Sequence, residues 1–280
     1  MNVTQPQTFI HPSAVVEPGA EIGLGAFIGP LCHVGPDVVV GENSRLVSSV
    51  AVIGATTIGR DCIVYPHAAL GGPPQNHGHK GGRTTLSIGD GCTIREFVTM
   101  HTGTDNARGA TVIGKKGHFL AYSHVAHDCI VGDNVTLTNG ATLGGHCEIG
   151  DNVGIGGLSA VHQFCRVGQN AFLAGGSMIV GDVIPFAIAM GNRAKLRGLN
   201  MVGLKRSGMA RAEIMQLQRA YKMIFDSARP LAQNVEAARV EFADSLQAMK
   251  IVDFLSDRGK RHYTVPAVKR AVHDDADDEG

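Results

Sequence analysis

Aliphatic side chains return at every sixth position along most of the chain. The series starts at Ile10 and runs through Val16, Ile22, Ile28, Val34, Val40, Leu46, Val52, Ile58 and Val64 to Leu70. It resumes at Ile88, Ile94 and Met100, restarts at Ile113, and keeps step through Phe119, Val125, Val131 and onward to Ile179. A step of six turns a helix by about 240°, which scatters these side chains over three faces. In extended chain six is an even number, so all of them point the same way. The pattern predicts short parallel strands wound into a solenoid, each coil about 4.8 Å above the last. Gly41, Asn43, Asp133, Asn134, Asp151 and Asn152 suit its corners. A β-sandwich has no reason to hold one phase for so long.

The beat breaks twice. Between Leu70 and Ile88 the inward positions fall on Asn76 and Gly82, so a loop near 72–86 leaves the wall. Met100 and Ile113 stand thirteen apart, one more than two hexads, which predicts a second loop near 101–112. Loops on a rigid scaffold commonly carry binding groups. After Pro185 the spacing of RAEIMQLQRAYKMIFDSA and NVEAARVEFADSLQAMKIVDFLSD becomes helical. The predicted fold is mainly β: a solenoid over 1–190, a helical domain over 191–265, and a disordered acidic tail over 266–280.

Composition adds little but excludes several classes. The 37 glycines belong to the repeat, and the absence of Trp suits a narrow prism. The 6 cysteines form no Cys-x-x-Cys pair and are expected to be small solenoid side chains. The N-terminus lacks a basic segment followed by an apolar run, so no signal peptide is read. No stretch is apolar enough to span a membrane. The expectation is a reduced, soluble, cytoplasmic protein with no nucleic-acid partner. Net charge is zero. Yet Arg193, Lys195, Arg197, Lys205, Arg206, Arg211, Arg219 and Lys222 face Glu213 alone over that stretch. They read as a solvated helix face or as a docking surface for an acidic partner.

Four of the 13 histidines stand out. Val125, Leu143 and Val161 lie eighteen apart and should stack if three hexads make one coil, as the family resemblance given below implies. His127, His146 and His162 follow them by two, three and one residues, so they emerge near one edge within about 10 Å. His124 flanks the same strand. Gly144, Gly145, Gly156 and Gly157 let a substrate approach the backbone there. Histidine exchanges a proton near neutral pH, which makes this edge the candidate site. His11, His33 and His67 are expected to be corner residues.

The hexads resemble the left-handed β-helix of hexapeptide acyltransferases, in which three hexads make one triangular coil. The left hand comes from that resemblance, because parallel crossovers are ordinarily right-handed. SHVAHDC (123–129), ATLGGHCEIG (141–150), AVHQFCRVG (160–168) and GNRAKLRGLNMVGLKR (191–206) resemble the UDP-N-acetylglucosamine O-acyltransferases of lipid A synthesis over about residues 9–260. The resemblance implies transfer of a 3-hydroxyacyl chain from the phosphopantetheine of acyl carrier protein to the 3-hydroxyl of UDP-N-acetylglucosamine. It implies no other cofactor and no metal. His127 would be the general base, Gly145 the backbone oxyanion donor and Asp128 the partner of His127. Neighbours in a strand point opposite ways, so that pairing requires a corner. His124, His146, His162 and Gln163 would line the sugar, phosphate and thioester. Asn200 and Arg206 would meet the nucleotide or the carrier arm. Gly175 would limit acyl length and, lacking a side chain, leave room for a longer chain. The family also implies a homotrimer with the site between neighbours.

The first loop departs from the family pattern. Many relatives read Gln-Asp-x-Lys, whereas this chain reads Gln75-Asn76-His77-Gly78-His79-Lys80. Asn76 stands where the acceptor-binding Asp is expected and Gly78 where the Lys is, with His79 or Lys80 to supply the charge. Val202 replaces an acidic residue, and Ser207 replaces a second Arg. These changes leave the 3-amino analogue of the sugar open as acceptor. Two further rivals are a zinc carbonic anhydrase, using His124 and His127 with His101 or His146, and a non-catalytic scaffold. No Cys or carboxylate completes the zinc set.

Overall fold

The structure, a computed structural model, describes residues 7–267. Most strands are two residues long, and successive strands go to successive walls of a three-sided prism. The first wall has 11 strands, from Phe9–Ile10 to Lys195–Leu199. The second has 9, from Val15–Val16 to Met178–Ile179, and the third has 8, from Glu21–Ile22 to Arg166–Val167. His124 lies beside Thr142 and then Ala160, and Val125 beside Leu143 and then Val161. The fold is a left-handed parallel β-helix. The six-beat residues from Ile28 to Ile179 fill its axis and are essentially sealed from solvent. Phe9 and Ile10, in the first coil, are 46% and 44% exposed because only one side of that coil is covered.

Most corners are four-residue turns whose third residue has a left-handed backbone. Between the third and first walls that position holds Asn43, Asp61, Asn134, Asn152 and Asn170. Asn and Asp tolerate this conformation through local hydrogen bonding of their short polar side chains. The 6 cysteines are all free and buried. Each closes a corner, and several point their thiols at a backbone carbonyl, as Cys129 does toward Gly144 at 3.2 Å. His67 is a corner residue with a left-handed backbone, and His11 opens a corner. His33 is not: it sits in the strand His33–Val34, with Nε2 2.6 Å from the Glu17 carboxylate.

The two loops leave the wall where the beat breaks. The first spans 73–84, between strands Ala69–Gly72 and Thr85–Ile88. The second spans 102–109, between Thr99–His101 and Ala110–Ile113.

Beyond Pro185 the chain is less uniformly helical than its spacing suggests. Strands Ala187–Met190 and Lys195–Leu199 form an antiparallel hairpin that extends the first wall. Helices follow: α1 (Met201–Arg206), α2 (Arg211–Ile224), α3 (Leu231–Glu241) and α4 (Leu246–Ser256). Leu217, Ala220 and Ile224 of α2 share one core with Ala238 of α3 and with Ala248, Ile251 and Val252 of α4. The helical domain expected over 191–265 therefore begins at Met201 and ends at Ser256. After α4 the chain returns in extended form, Tyr263 bridging Asp182 and Pro266 bridging Leu196. Of the tail expected to be disordered, Pro266 and Ala267 are ordered against the hairpin side, and 268–280 lie outside the described residues.

Arg166 ties this return to the solenoid. Its Nε donates to the fully buried Asp182 carboxylate at 2.8 Å, and its Nη2 to the Asp257 carbonyl at 2.6 Å. Its guanidinium also lies over the Phe254 ring. Removing it leaves a buried carboxylate without its counter-ion. Arg166→Ala is expected to lower stability by about 3 kcal/mol. Urea unfolding measures the loss, and amide exchange should quicken first over 257–264.

Candidate active site

The edge between the second and third walls collects the predicted residues. Three consecutive coils contribute corners 126–129, 144–147 and 162–165. In-register stacking aligns them as three columns: Ala126, Gly144 and His162; His127, Gly145 and Gln163; Asp128, His146 and Phe164. The third column carries the left-handed backbone, with φ of 59°, 62° and 66°. Phe gains little from that conformation, as do Leu31, Phe97, Tyr122 and Leu158 at corners of another edge, so the winding itself imposes it.

The corner at Asp128 bends two sequence neighbours toward each other. His127 Nδ1 lies 2.8 Å from Asp128 Oδ2, and both side chains are buried. The carboxylate also accepts from the Thr104 hydroxyl at 2.7 Å and from the backbone N–H groups of Thr104 and Gly109 at 3.1 Å. Those donors belong to the second loop. Because Asp128 accepts, Nδ1 carries the ring proton and Nε2 presents a lone pair. The Asn76 side-chain amide approaches that Nε2 at 3.4 Å. His146 meets His127 edge-on, with centroids 5.0 Å apart, and stacks on Phe164 at 4.4 Å. A Cβ on Gly145 would lie 2.6 Å from His127 Cε1, so only glycine fits beneath that ring.

Gly145 also has a free amide. Gly144 and His146 on either side donate to the carbonyls of Val161 and His127, whereas no acceptor takes the Gly145 N–H among the described residues. The same turn position behaves differently on the edge between the third and first walls. There the amides of Arg60, Lys115 and Asp133 donate to the carboxylates of Asp90, Asp133 and Asp151 at 2.7–2.9 Å. The bond from Arg60, first among its causes, with help from the Lys115 ammonium, holds Asp90 below the usual carboxylate range. At those three corners the second amide binds an anion, and at Gly145 no carboxylate occupies it.

Not every predicted residue joins this edge. His124 sits on the adjoining strand, its Nδ1 2.7 Å from Thr99 Oγ1 and its ring 5.4 Å from that of His101. His162 and Gln163 share the edge, but both are exposed. Gly175 is on a different edge, between the first and second walls, with a Cβ position 3.3 Å from the Gly157 carbonyl. Asn200 caps α1 by accepting from Gly203 N–H and donates to the Asn170 carbonyl, which places it over the third edge. Arg206 ends α1, exposed. The zinc set drawn from His124 and His127 is not the one assembled. The ligand-like cluster is His127, Asp128 and His146, with atoms within 4.8 Å of one another. A carboxylate does complete it, although both Asp128 oxygens already accept hydrogen bonds.

A family model described as UDP N-acetylglucosamine O-acyltransferase, domain 2, matches residues 182–263. The acyl-[acyl-carrier-protein]–UDP-N-acetylglucosamine O-acyltransferase of Mesorhizobium japonicum is 65% identical over 98% of both chains. That of Caulobacter vibrioides is 54% identical over 92% of this chain and 98% of its own. The chain belongs to the UDP-N-acetylglucosamine O-acyltransferase family. Solved structures agree: the Moraxella catarrhalis enzyme superposes with a TM-score of 0.89 at 37% identity, covering 91% of this chain and 99% of its own. An Arabidopsis member gives 0.80 at 31%, covering 91% and 99%.

Within this family member the site's charges are set by burial and contact. Burial, with His101 and His127 close by, pushes His124 down to about 4. Burial also holds His146 below the ordinary histidine value, although Asp128 pulls the other way. Burial alone would raise Asp128, but the hydrogen bonds from His127 and Thr104 together outweigh it and keep the carboxyl low. The edge at neutral pH thus holds one ionised carboxylate close to neutral His146, with neutral His124 on the adjoining strand.

Several contributors escaped the sequence reading. Asp105 accepts from the Lys80 and Gly82 amides and lies 3.2 Å from His79, so the second loop clamps the first and holds Asn76 over His127. Arg108 donates to the Asp128 carbonyl and pairs with Glu148. Lys260 lies over Phe164, and Arg261 reaches His162 from the end of the described chain. Single loop and terminal residues have no phase in the repeat, so spacing gave no signal for them. The one available cue was the Asp105 side chain in a loop already suspected of function.

Two outcomes follow. Asp105→Ala should free the first loop, seen as faster amide exchange at Lys80 and Gly82 with little change in the unfolding midpoint. For His124 the folded value lies below the unfolded one, so on acidification the unfolded chain takes up a proton first. Stability contributed by the neutral ring is complete above about pH 6.5 and is lost as pH falls toward 4. Urea midpoints at pH 7, 5.5 and 4.5 should fall less steeply in His124→Gln, by up to one proton of slope.

Proposed function

We propose that this protein transfers a 3-hydroxyacyl chain from acyl carrier protein to the 3-hydroxyl of UDP-N-acetylglucosamine, the first step of lipid A biosynthesis. The observation that carries the mechanism is the buried His127–Asp128 pair beside the unoccupied Gly145 amide. His127 Nε2 takes the proton of the acceptor hydroxyl while its oxygen attacks the thioester carbonyl. Asp128 stays ionised and stabilises the imidazolium. The oxyanion of the tetrahedral intermediate accepts the Gly145 N–H, in the place where the equivalent amides hold aspartates elsewhere. Collapse expels the carrier thiolate, which takes the proton from His127. A placed base is worth about 10²–10⁴-fold, and one oxyanion donor about 3–4 kcal/mol. Asn76, next to Nε2, contacts the acceptor sugar. The Mesorhizobium, Caulobacter and Moraxella relatives carry UDP-N-acetylglucosamine in their names, which favours that sugar over its 3-amino analogue.

The reaction drawn this way uses no cofactor beyond the phosphopantetheine of the donor and no metal. We read the working unit as a homotrimer in the cytoplasm. Gly175, Asn200 and Arg206 lie away from the His127 edge of their own chain, and packing an edge against a neighbouring copy is what would gather them. Leu31, Phe97, Tyr122 and Leu158 support this, standing exposed along the Gly175 edge. The buried free thiols fit a reducing compartment, and no helix among the described residues is long and apolar enough to cross a membrane.

Mass spectrometry of purified protein, UDP-N-acetylglucosamine and hydroxyacyl-carrier proteins of graded length tests the reading. Acylated sugar nucleotide is expected, and His127→Ala should lower its formation by at least about 10²-fold without changing the mass measured by light scattering. Full activity in that variant would remove His127 from the mechanism. Gly175→Met should shift the preferred donor to a shorter chain, and an unchanged length profile would remove Gly175 from chain selection.

A further inference from the structure

The segment after α4 contributes to the catalytic edge, and its placement is rigid. Asp182 N–H donates to the His262 carbonyl at 2.8 Å, and Thr264 N–H donates to the Asp182 carbonyl at 2.7 Å. Arg166 holds Asp257 at the segment's start. Between these anchors, Arg261 is half-buried and turned onto the corner of the third coil. Its Nε donates to the Gln163 carbonyl at 2.9 Å, and its Nη2 lies 2.8 Å from His162 Nδ1.

A guanidinium has donors and no acceptor, so Nδ1 must accept. A second contact of Nδ1, 3.2 Å from the Gln163 carbonyl, is then a proximity without a shared proton. That carbonyl already receives Arg261 Nε. A neutral imidazole that accepts at Nδ1 carries its one proton at Nε2. Protonating both nitrogens would aim an N–H at the guanidinium.

We propose that Arg261 is a positioning residue of this site, holding His162 as the neutral tautomer that donates from Nε2 to a phosphate-ester oxygen of a substrate. The proposal rests on reading this edge as the acyltransferase site. His162 and Arg261 share a cavity of about 460 Å³ with Arg193, Lys195, His262 and Tyr263, and no carboxylate lines it. Such a cavity favours an anion. Both substrates offer one, the acceptor as a diphosphate and the donor as the phosphodiester of its arm. Lys260, one residue earlier, lies over the Phe164 ring that stacks on His146, so the same segment braces the neighbouring column.

The test is the protonation pattern of His162 in the full-length protein, read from ¹⁵N-histidine spectra and assigned by His162→Gln. An unprotonated Nδ1 and a protonated Nε2 are expected in the wild type. Arg261→Gln should average the two tautomers and raise KM for one of the two substrates by about tenfold, the loss of roughly one hydrogen bond, with a smaller change in kcat. Which KM rises identifies the phosphate. Arg261→Lys, able to donate to Nδ1 but not to bridge to the carbonyl, should recover part of the loss. A protonated Nδ1 in the wild type overturns the proposal even should the variants fail to fold, and so does an Arg261→Gln enzyme with unchanged KM for both substrates. A wild type that makes no product would instead overturn the acyltransferase reading and leave the tautomer measurement intact.

Discussion

Parallel backbone hydrogen bonding places each residue of a coil above the one eighteen positions earlier, and the chemistry of this molecule depends on that alignment. Side chains distant in sequence meet because they share a column. A one-residue slip would turn the whole inward set to the outside, so the aliphatic axis and the histidine-bearing edge are fixed by the same constraint. The sealed prism keeps the corners rigid, and rigid corners can hold a base and an amide in a fixed relation without a flexible loop between them.

The corner itself supplies what a strand cannot. Adjacent strand residues diverge, yet the left-handed backbone at Asp128 swings its carboxylate back to His127. Burial would ordinarily favour the protonated acid. The His127 ring N–H and donors from the second loop converge on Asp128 and together reverse that preference, which leaves the carboxylate ionised. The loop that breaks the repeat is therefore what completes the charge balance of the corner.

The solenoid and both extruded loops could be read from spacing alone, because a repeat converts sequence phase into position, and the gathering of His127 and His146 on one edge followed once the family resemblance set three hexads to a coil. The placement of Asp128 could be stated only as a condition, and the corner met it. Other features had no phase to read. The extended return that brings Arg261 to His162, and the hairpin before α1, lie where the hexads have ended. Gly175 and Asn200 were chosen by likeness of sequence, and within one chain they stand on other edges, since phase along a coil says nothing about a neighbouring copy. His33, expected at a corner, is an outward strand residue paired with Glu17.

The second amide of a corner has a wider meaning. Along one edge Asp90, Asp133 and Asp151, each one coil further on, cover three of these donors and stitch the coils together; at Gly145 the donor is left bare. One scaffold element is thus structural cement on one side of the prism and a reactive feature on another, the difference being a single side chain. Descent with modification could open a fresh site on such a scaffold by losing one acidic residue and gaining an imidazole beside it, with no change to the winding at all.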